Sequence, residues 1–188
     1  MKGDRRGGRL KLDLHTHCKE AVAFQRPDDR IATIIASQIR ARGLDGIAVT
    51  EHNEAEYGFS LKELMVRHHP DLLIIPGQER RWGLDHVVEL FLPDGVVFRF
   101  IAHPGNLWGA RDLSPEDGIH GIEIANGQQF VHEARVREFA RVNDLLLLSN
   151  SDAHVVGDIG CNYSMVDLAE FSARARRGLP GAVGVVTL

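Results

Sequence analysis

Several short stretches of the 188-residue chain carry side chains able to hold metal ions. The first is Leu12-Asp13-Leu14-His15-Thr16-His17, an apolar alternation that ends in two histidines. In a strand, residues i and i+2 point to the same side, so His15 and His17 can aim at one point just past its end. His52 follows Thr50-Glu51, Glu79 closes Pro76-Gly77-Gln78-Glu79, and His86 opens another apolar run. His103-Pro104 and Ser151-Asp152-Ala153-His154 complete the set. Imidazole and carboxylate donors in this mixture suit zinc, manganese or iron.

These residues need elements that end where they begin. Arg9 to Leu14 reads as a strand, and a loop runs from Cys18 to Arg26. Pro27 is placed for the first turn of a helix, with Asp28 and Asp29 at its positive end, a stripe of Ile31, Ile34, Ile35 and Ile39, and Gly43 as its stop. Gly46–Thr50 is a short apolar strand leading to His52, and Phe59–His69 a helix closed by Pro70. Leu72–Ile75 is a third strand, ending at Pro76-Gly77-Gln78-Glu79. His86–Phe91 and Val96–Ala102 are strands around the turn signal Pro93-Asp94-Gly95. Gly121–Ala125 is a strand, Phe130–Val142 a helix and Leu145–Leu148 a strand leading to Asp152 and His154. A helix near Asp167–Arg177, a Gly178/Pro180/Gly181 turn and a strand Val183–Thr187 close the chain. Short, continuously apolar strands alternating with helices predict a mostly parallel sheet or barrel, whose sites lie at the C-terminal strand ends.

The length suggests one domain, residues 1–188, with a flexible lead over about 1–8. The apolar fraction of 44% and charged fraction of 26% are those of an ordinary globular chain. The net charge of −4 and the lack of a basic stripe argue against long nucleic acid. No 18-residue apolar run exists and the N-terminus has no apolar h-region, so we expect no membrane partner and a cytoplasmic location. Two cysteines, Cys18 and Cys161, make no disulfide framework.

Taken in order, the motifs from Asp13 to His154 resemble those of the PHP (polymerase and histidinol phosphatase) superfamily, most of all its small stand-alone phosphoesterases. The resemblance implies a distorted seven-stranded (β/α) barrel with two or three divalent metal ions. By motif, His15, His17, Glu79 and Asp152 would hold one, His52 and His154 a second, and His86 and His103 a third with Glu79 bridging. A metal-bound water held by Glu79, Asp152 and His154 would ionise and attack phosphorus in a phosphomonoester or small nucleotide. The sequence departs from the family pattern after His17, where relatives often carry an aspartate or histidine for the second metal. Here Glu20 is the one conventional oxygen ligand in the loop and Cys18 the one thiol. Glu51 stands where many relatives have aspartate and reads as a supporting residue.

Phosphate also calls for cations, and Arg80 and Arg81, next to Glu79, are the nearest pair in sequence. Arg111 is a weaker candidate. Asn126 and Glu123 could line the pocket, although Asn126-Gly127 equally reads as turn chemistry, and Trp82 and Trp108 could stack on a base or sugar or else pack the edge of a core. His68, His69, His120 and His132 read as surface residues. Two other readings stay open beside the phosphoesterase: an amidohydrolase-like barrel enzyme, which also uses two histidines after strand one, and a non-catalytic metal-binding regulatory domain.

Overall fold

The computed structural model describes residues 8–105 and 118–177. The lead through residue 7, Trp108, Arg111, the turn after Arg177 and the strand expected at Val183–Thr187 lie outside the described residues. The chain runs β1 (Leu10–Asp13), α1 (Cys18–Ala21), α2 (Asp29–Ala41), β2 (Gly46–Val49), α3 (Glu56–His68), β3 (Leu73–Trp82), β4 (Asp85–Phe91) and β5 (Val97–Ala102). It continues with β6 (Gly121–Asn126), α4 (Glu133–Val142), β7 (Leu146–Asn150), a 3-10 turn at Val156–Asp158, β8 (Ser164–Val166) and α5 (Leu168–Arg177). Among the described residues no helix is long and apolar enough to cross a membrane.

The strands form one sheet in the order β7-β6-β5-β4-β3-β2-β1-β8. Neighbours are parallel except along β3–β4–β5 and between β1 and β8. The Ser164 hydroxyl joins the two edges, accepting from the Ser149 N–H at 2.8 Å and donating to the Ser149 carbonyl at 2.9 Å. The result is the expected mixed α/β barrel, nearly closed, with a three-residue eighth strand that the sequence reading did not contain.

Alternation along the strands sorts two layers. Leu12, Leu14, Ala48, Ile75, Val88, Leu90, Phe98, Phe100 and Leu148 fill the barrel interior. Ile47, Val49 and Ile74 point outward, under Ile31, Ile35, Ile39, Leu61 and Met65 of α2 and α3. Ile101 and Ile122 are covered by Val136 and Ala140 of α4. Phe171 of α5 stacks on Phe98, ring centroids 4.0 Å apart, and seals the end away from the histidines.

Several boundaries moved: α3 starts at Glu56, ahead of the expected Phe59, and the loop expected from Cys18 opens with α1. The N-cap of α2 is Asp28, whose carboxylate accepts from the Ile31 N–H at 2.8 Å, so Pro27 precedes the helix instead of opening it. α4 begins at Glu133, after the expected start at Phe130. The largest change is in β3, which does not stop at Ile75 but runs on to Trp82. Pairing with β2 ends at Val49↔Pro76 and pairing with β4 begins at Gly77↔Leu90. Pro76 therefore sits where the strand changes partner, a place that tolerates a missing N–H. At Gly77 a Cβ would lie 2.5 Å from the Glu89 carbonyl oxygen, so only glycine lets β3 approach β4.

Candidate metal centre

The parallel strands deliver their C-terminal ends to one rim. Because β4 runs antiparallel, its N-terminus reaches that rim too, which is why His86 belongs with residues that follow strands. Glu79, expected past a strand end, stands inside β3 on the barrel-facing side.

His15, His17 and Asp152 form the most buried group. The Nε2 atoms of His15 and His17 are 3.2 Å apart, and Asp152 Oδ1 lies 3.4 Å from the first and 3.1 Å from the second. Glu79 Oε2 is 3.7 Å from His15 Nε2 and 3.5 Å from His17 Nε2. On the other side of that carboxylate, Oε1 lies 2.7 Å from His86 Nδ1 and 3.0 Å from His103 Nε2. Glu79 thus stands between two imidazole groups with one oxygen toward each. Toward solvent, His52 and His154 flank Glu20: His52 Nε2 is 3.7 Å from Oε1 and His154 Nε2 3.8 Å from Oε2. The His17 ring stacks on both, at 4.3 Å each.

α1 brings Glu20 there. The Glu51 carboxylate accepts from the Lys19 N–H at 2.8 Å, and Lys19 pairs with Glu54. Two acidic residues after β2 thereby fix a single helical turn that is too short to hold itself. Burial pushes the Glu51 carboxyl up to about 7. Cys18 is buried beside Thr16, 3.4 Å from its hydroxyl, with burial raising its thiol. It packs in the core and is no ligand.

Beneath these candidate donors lies a set of buried polar groups. Glu123 accepts from His15 Nδ1 (3.0 Å), Asn150 Nδ2 (2.8 Å), the His103 N–H (2.7 Å) and Asn126 Nδ2 (2.9 Å). Asp13 accepts from the Ser151 hydroxyl at 2.5 Å, the Ser151 N–H at 3.0 Å and the Gly160 N–H at 2.8 Å. Burial still lifts its carboxyl to about 6. Asp152 (φ +54°) and His103 (φ +26°) hold left-handed backbone that these contacts sustain.

Other expected site residues fall elsewhere. Asn126 donates to Glu123 and, at 3.3 Å, to Asp152 Oδ2, while its Oδ1 accepts from the Gln128 and Gln129 N–H groups. Its amide is taken up by protein partners, so in this structure it braces Glu123 and Asp152. Arg80 alternates with Glu79 along β3 and so points to the outer face, 3.9 Å from Glu89. Arg81 is opposite His86 in the ladder, on the site's side, and donates to the Gly83 carbonyl. Trp82 packs at the edge of the outer core, with the Arg99 guanidinium 5.8 Å from its ring. His120 was expected at the surface and is instead 6% exposed, its Nδ1 accepting from the Arg99 N–H at 3.0 Å. His68 is exposed, paired with Asp29 at 3.1 Å.

The donors fit divalent cations. Nitrogen and oxygen lone pairs converge from opposite sides of the barrel, and convergence of this kind needs a positive charge between them. Glu79 Oε2 and His17 Nδ1 are buried without a hydrogen-bond partner; His52 Nδ1 is 2.9 Å from that oxygen but outside hydrogen-bond geometry. Three groups each bring their ligand atoms within 4.8 Å of one another: His15/His17/Asp152, His15/Glu79/His103 and His17/Glu20/His52/His154. Burial opposes charge on Glu79 and Asp152, yet the histidines around them hold both carboxyls below the usual range. Burial opposes charge on His15 as well, and Glu123, Glu79 and Asp152 outweigh it, raising its pKa well above 6.5. Glu79 likewise raises His52, and raises His103 against the pull of burial. Burial lowers His17.

A model of the PHP-associated family, PHP_C, matches residues 132–178. No curated protein matches the chain. Among solved structures, the fold is similar to that of a "putative metal-dependent phosphoesterase" from Bifidobacterium adolescentis ATCC 15703 (TM-score 0.64, 15% identity, 87% of this chain and 96% of that one). It is also similar to an amidohydrolase from Chromobacterium violaceum, solved with bound sulfate and no metal (0.60, 17%, 87% and 96%). A third is PsfC from Pseudomonas syringae PB-5123 (0.57, 17%, 81% and 80%). The family match is confined to residues 132–178, and the solved structures show that the barrel fold is a shared one.

Proposed function

We propose that the chain is a metal-dependent hydrolase acting on a small phosphate ester. The observation that carries this is Glu79, a buried carboxylate with one oxygen toward His86 and His103 and the other toward His15, His17 and His52. His15, His17, Glu79 and Asp152 would hold one divalent cation, His86 and His103 with Glu79 another, and His52, His154 and Glu20 a third. Zinc, manganese and iron all suit these donors. Bound cations would supply Lewis acidity, lowering the pKa of a water from about 15.7 toward about 7 and offsetting charge that develops on the phosphoryl group.

The protein's own part is positioning. Glu79 and Asp152 supply the anionic charge that retains cations. His154 directs Nδ1 to the Asp152 carbonyl at 2.8 Å, which leaves Nε2 facing Glu20. Arg81 is the basic side chain from the expected pair that stands on the site's side, and it is our candidate for gripping the substrate's phosphate. Asp152 and Glu123 are buried below the rim, so their part would be to hold and orient the cations' donors and not to touch substrate.

The test is elemental analysis of protein purified without chelator, followed by assays on phosphomonoester, nucleotide and amide panels. Two or three equivalents of metal, with phosphate release that chelator abolishes and metal restores, is the expected result. Glu79→Gln should lose both metal and activity. The C. violaceum neighbour gives an amidohydrolase reading a specific basis. Cleavage of amides with no phosphate release would install that reading, and tight metal binding without turnover would leave a regulatory domain.

A further inference from the structure

Glu123 is fully buried and its four partners are all donors: His15 Nδ1 and Asn150 Nδ2 on one oxygen, the His103 N–H and Asn126 Nδ2 on the other. None can be turned round. Asn150 Oδ1 is committed to the Leu14 N–H at 3.0 Å, and Asn126 Oδ1 to the Gln128 and Gln129 N–H groups at 2.8 Å each. A backbone N–H has no acceptor form. An ionised carboxylate only accepts, so His15 must carry its proton on Nδ1. Nε2, directed at His17 Nε2 and Asp152 Oδ1, is then the nitrogen that gives up its proton and offers a lone pair when a cation binds. The second oxygen meanwhile fastens the backbone of His103, whose φ of +26° is not one a histidine takes unaided.

We propose that Glu123 is the outer-sphere positioning residue that fixes the tautomer of His15 and couples the His15 and His103 cation sites through its two oxygens. The proposal rests on the cation-binding reading above and adds to it a residue that touches neither cation nor substrate. A carboxylate is the one side chain that can serve here, because both of its ends must accept. Glutamine has the same shape but presents an NH2 at one end. Turned toward His15, that NH2 drives the imidazole proton onto Nε2 and blocks the lone pair. Turned the other way, it meets the His103 N–H and Asn126 Nδ2 and releases His103. Either orientation spoils one cation site.

The experiment is zinc titration by calorimetry of the wild type, Glu123→Gln and Glu89→Gln, with 15N NMR of the imidazoles in the zinc-loaded proteins. Glu89 is a buried carboxylate bonded to Gln78 and Arg99 on the outer face, and it controls for loss of a buried charge alone. We expect at least one zinc equivalent to weaken by roughly 10–100-fold in Glu123→Gln, the usual effect of removing such a partner. Glu89→Gln should bind as the wild type does, and wild-type His15 should show Nδ1–H with zinc on Nε2. Zinc affinity in Glu123→Gln within threefold of wild type, with the His15 Nδ1–H signal retained, overturns the proposal. The wild-type spectrum tests it without any variant: a proton on Nε2 of His15 in the loaded protein overturns it equally. A wild type that takes up no cation defeats the functional reading, whereas equal loading of wild type and Glu123→Gln defeats this proposal alone.

Discussion

The histidines of this chain divide by what their second nitrogen does. His15 gives Nδ1 to Glu123 and His154 gives Nδ1 to the Asp152 carbonyl, so each keeps Nε2 for the site. His120 reverses the pattern: its Nδ1 accepts from the Arg99 N–H and its Nε2 is buried without a partner. Burial, with the charges of Arg99 and Arg174, pushes its pKa down to about 4. The fold therefore favours the neutral ring. Its contribution to stability is complete above the unfolded value of 6.5 and is lost as pH falls from there toward 4, by up to about 3 kcal/mol at roughly 1.4 kcal/mol per unit. His120→Asn keeps an acceptor and cannot titrate. Urea unfolding should find it less stable than the wild type at pH 7, with the gap narrowing by pH 4.5; a constant gap would disprove the shift. At this scale the sequence named the imidazoles and carboxylates that the structure gathers at one rim, because they stand beside the ends of apolar runs. It misjudged His120, since a lone histidine before a strand carries no mark of which side it faces. Of its two readings of Asn126 the turn is the one seen, with Oδ1 accepting from the Gln128 and Gln129 N–H groups, while the amide's bracing of Glu123 and Asp152 depends on strands that only the fold brings together.

Among the elements, β3 shows where pattern reading stops. The apolar run Leu72–Ile75 was legible, but a strand that trades β2 for β4 at Pro76 looks like a strand that ends. That one error misplaced Arg80, since an expected loop gives no alternation and a strand assigns alternate residues to opposite faces. The same changeover makes Gly77 irreplaceable. In Gly77→Ala the new Cβ would press on the Glu89 carbonyl oxygen and, at 2.9 Å, on the Thr50 methyl. We expect a loss of about 1–3 kcal/mol on thermal or urea unfolding, as for other overpacked sites, together with weakened metal binding because Glu79 is two residues on. Unchanged unfolding and unchanged zinc affinity would show that β3 can move aside at no cost.

For the whole molecule, the rim is a place where protons and cations compete. His15, His52 and His103 have raised pKa values beside carboxylates that are already ionised, so the imidazoles supply the protons that metal must displace. Apparent zinc affinity should go on rising with pH above the ordinary imidazole value of about 6.5, and calorimetric heats should vary with the ionisation enthalpy of the buffer. Heats independent of buffer would mean that the rings are neutral before metal arrives. The barrel itself was legible from alternating short apolar strands and helices. Its closure was not, because a side-chain hydroxyl on a three-residue strand has no periodic signature.

The antiparallel run β3–β4–β5 has a consequence for assembly. Glu79 meets His86 across 7 residues and His103 across 24, whereas His15 meets Glu123 across 108 and Asp13 meets Ser151 across 138. Closing the longest of these loops costs about 2–3 kcal/mol more chain entropy than closing the shortest. The donors around Glu79 Oε1 can therefore gather while the ends of the barrel are still apart. A cation captured there would act first as a folding ligand on a nascent hairpin, and the remaining positions would fill only when the N- and C-terminal thirds of the sequence come together.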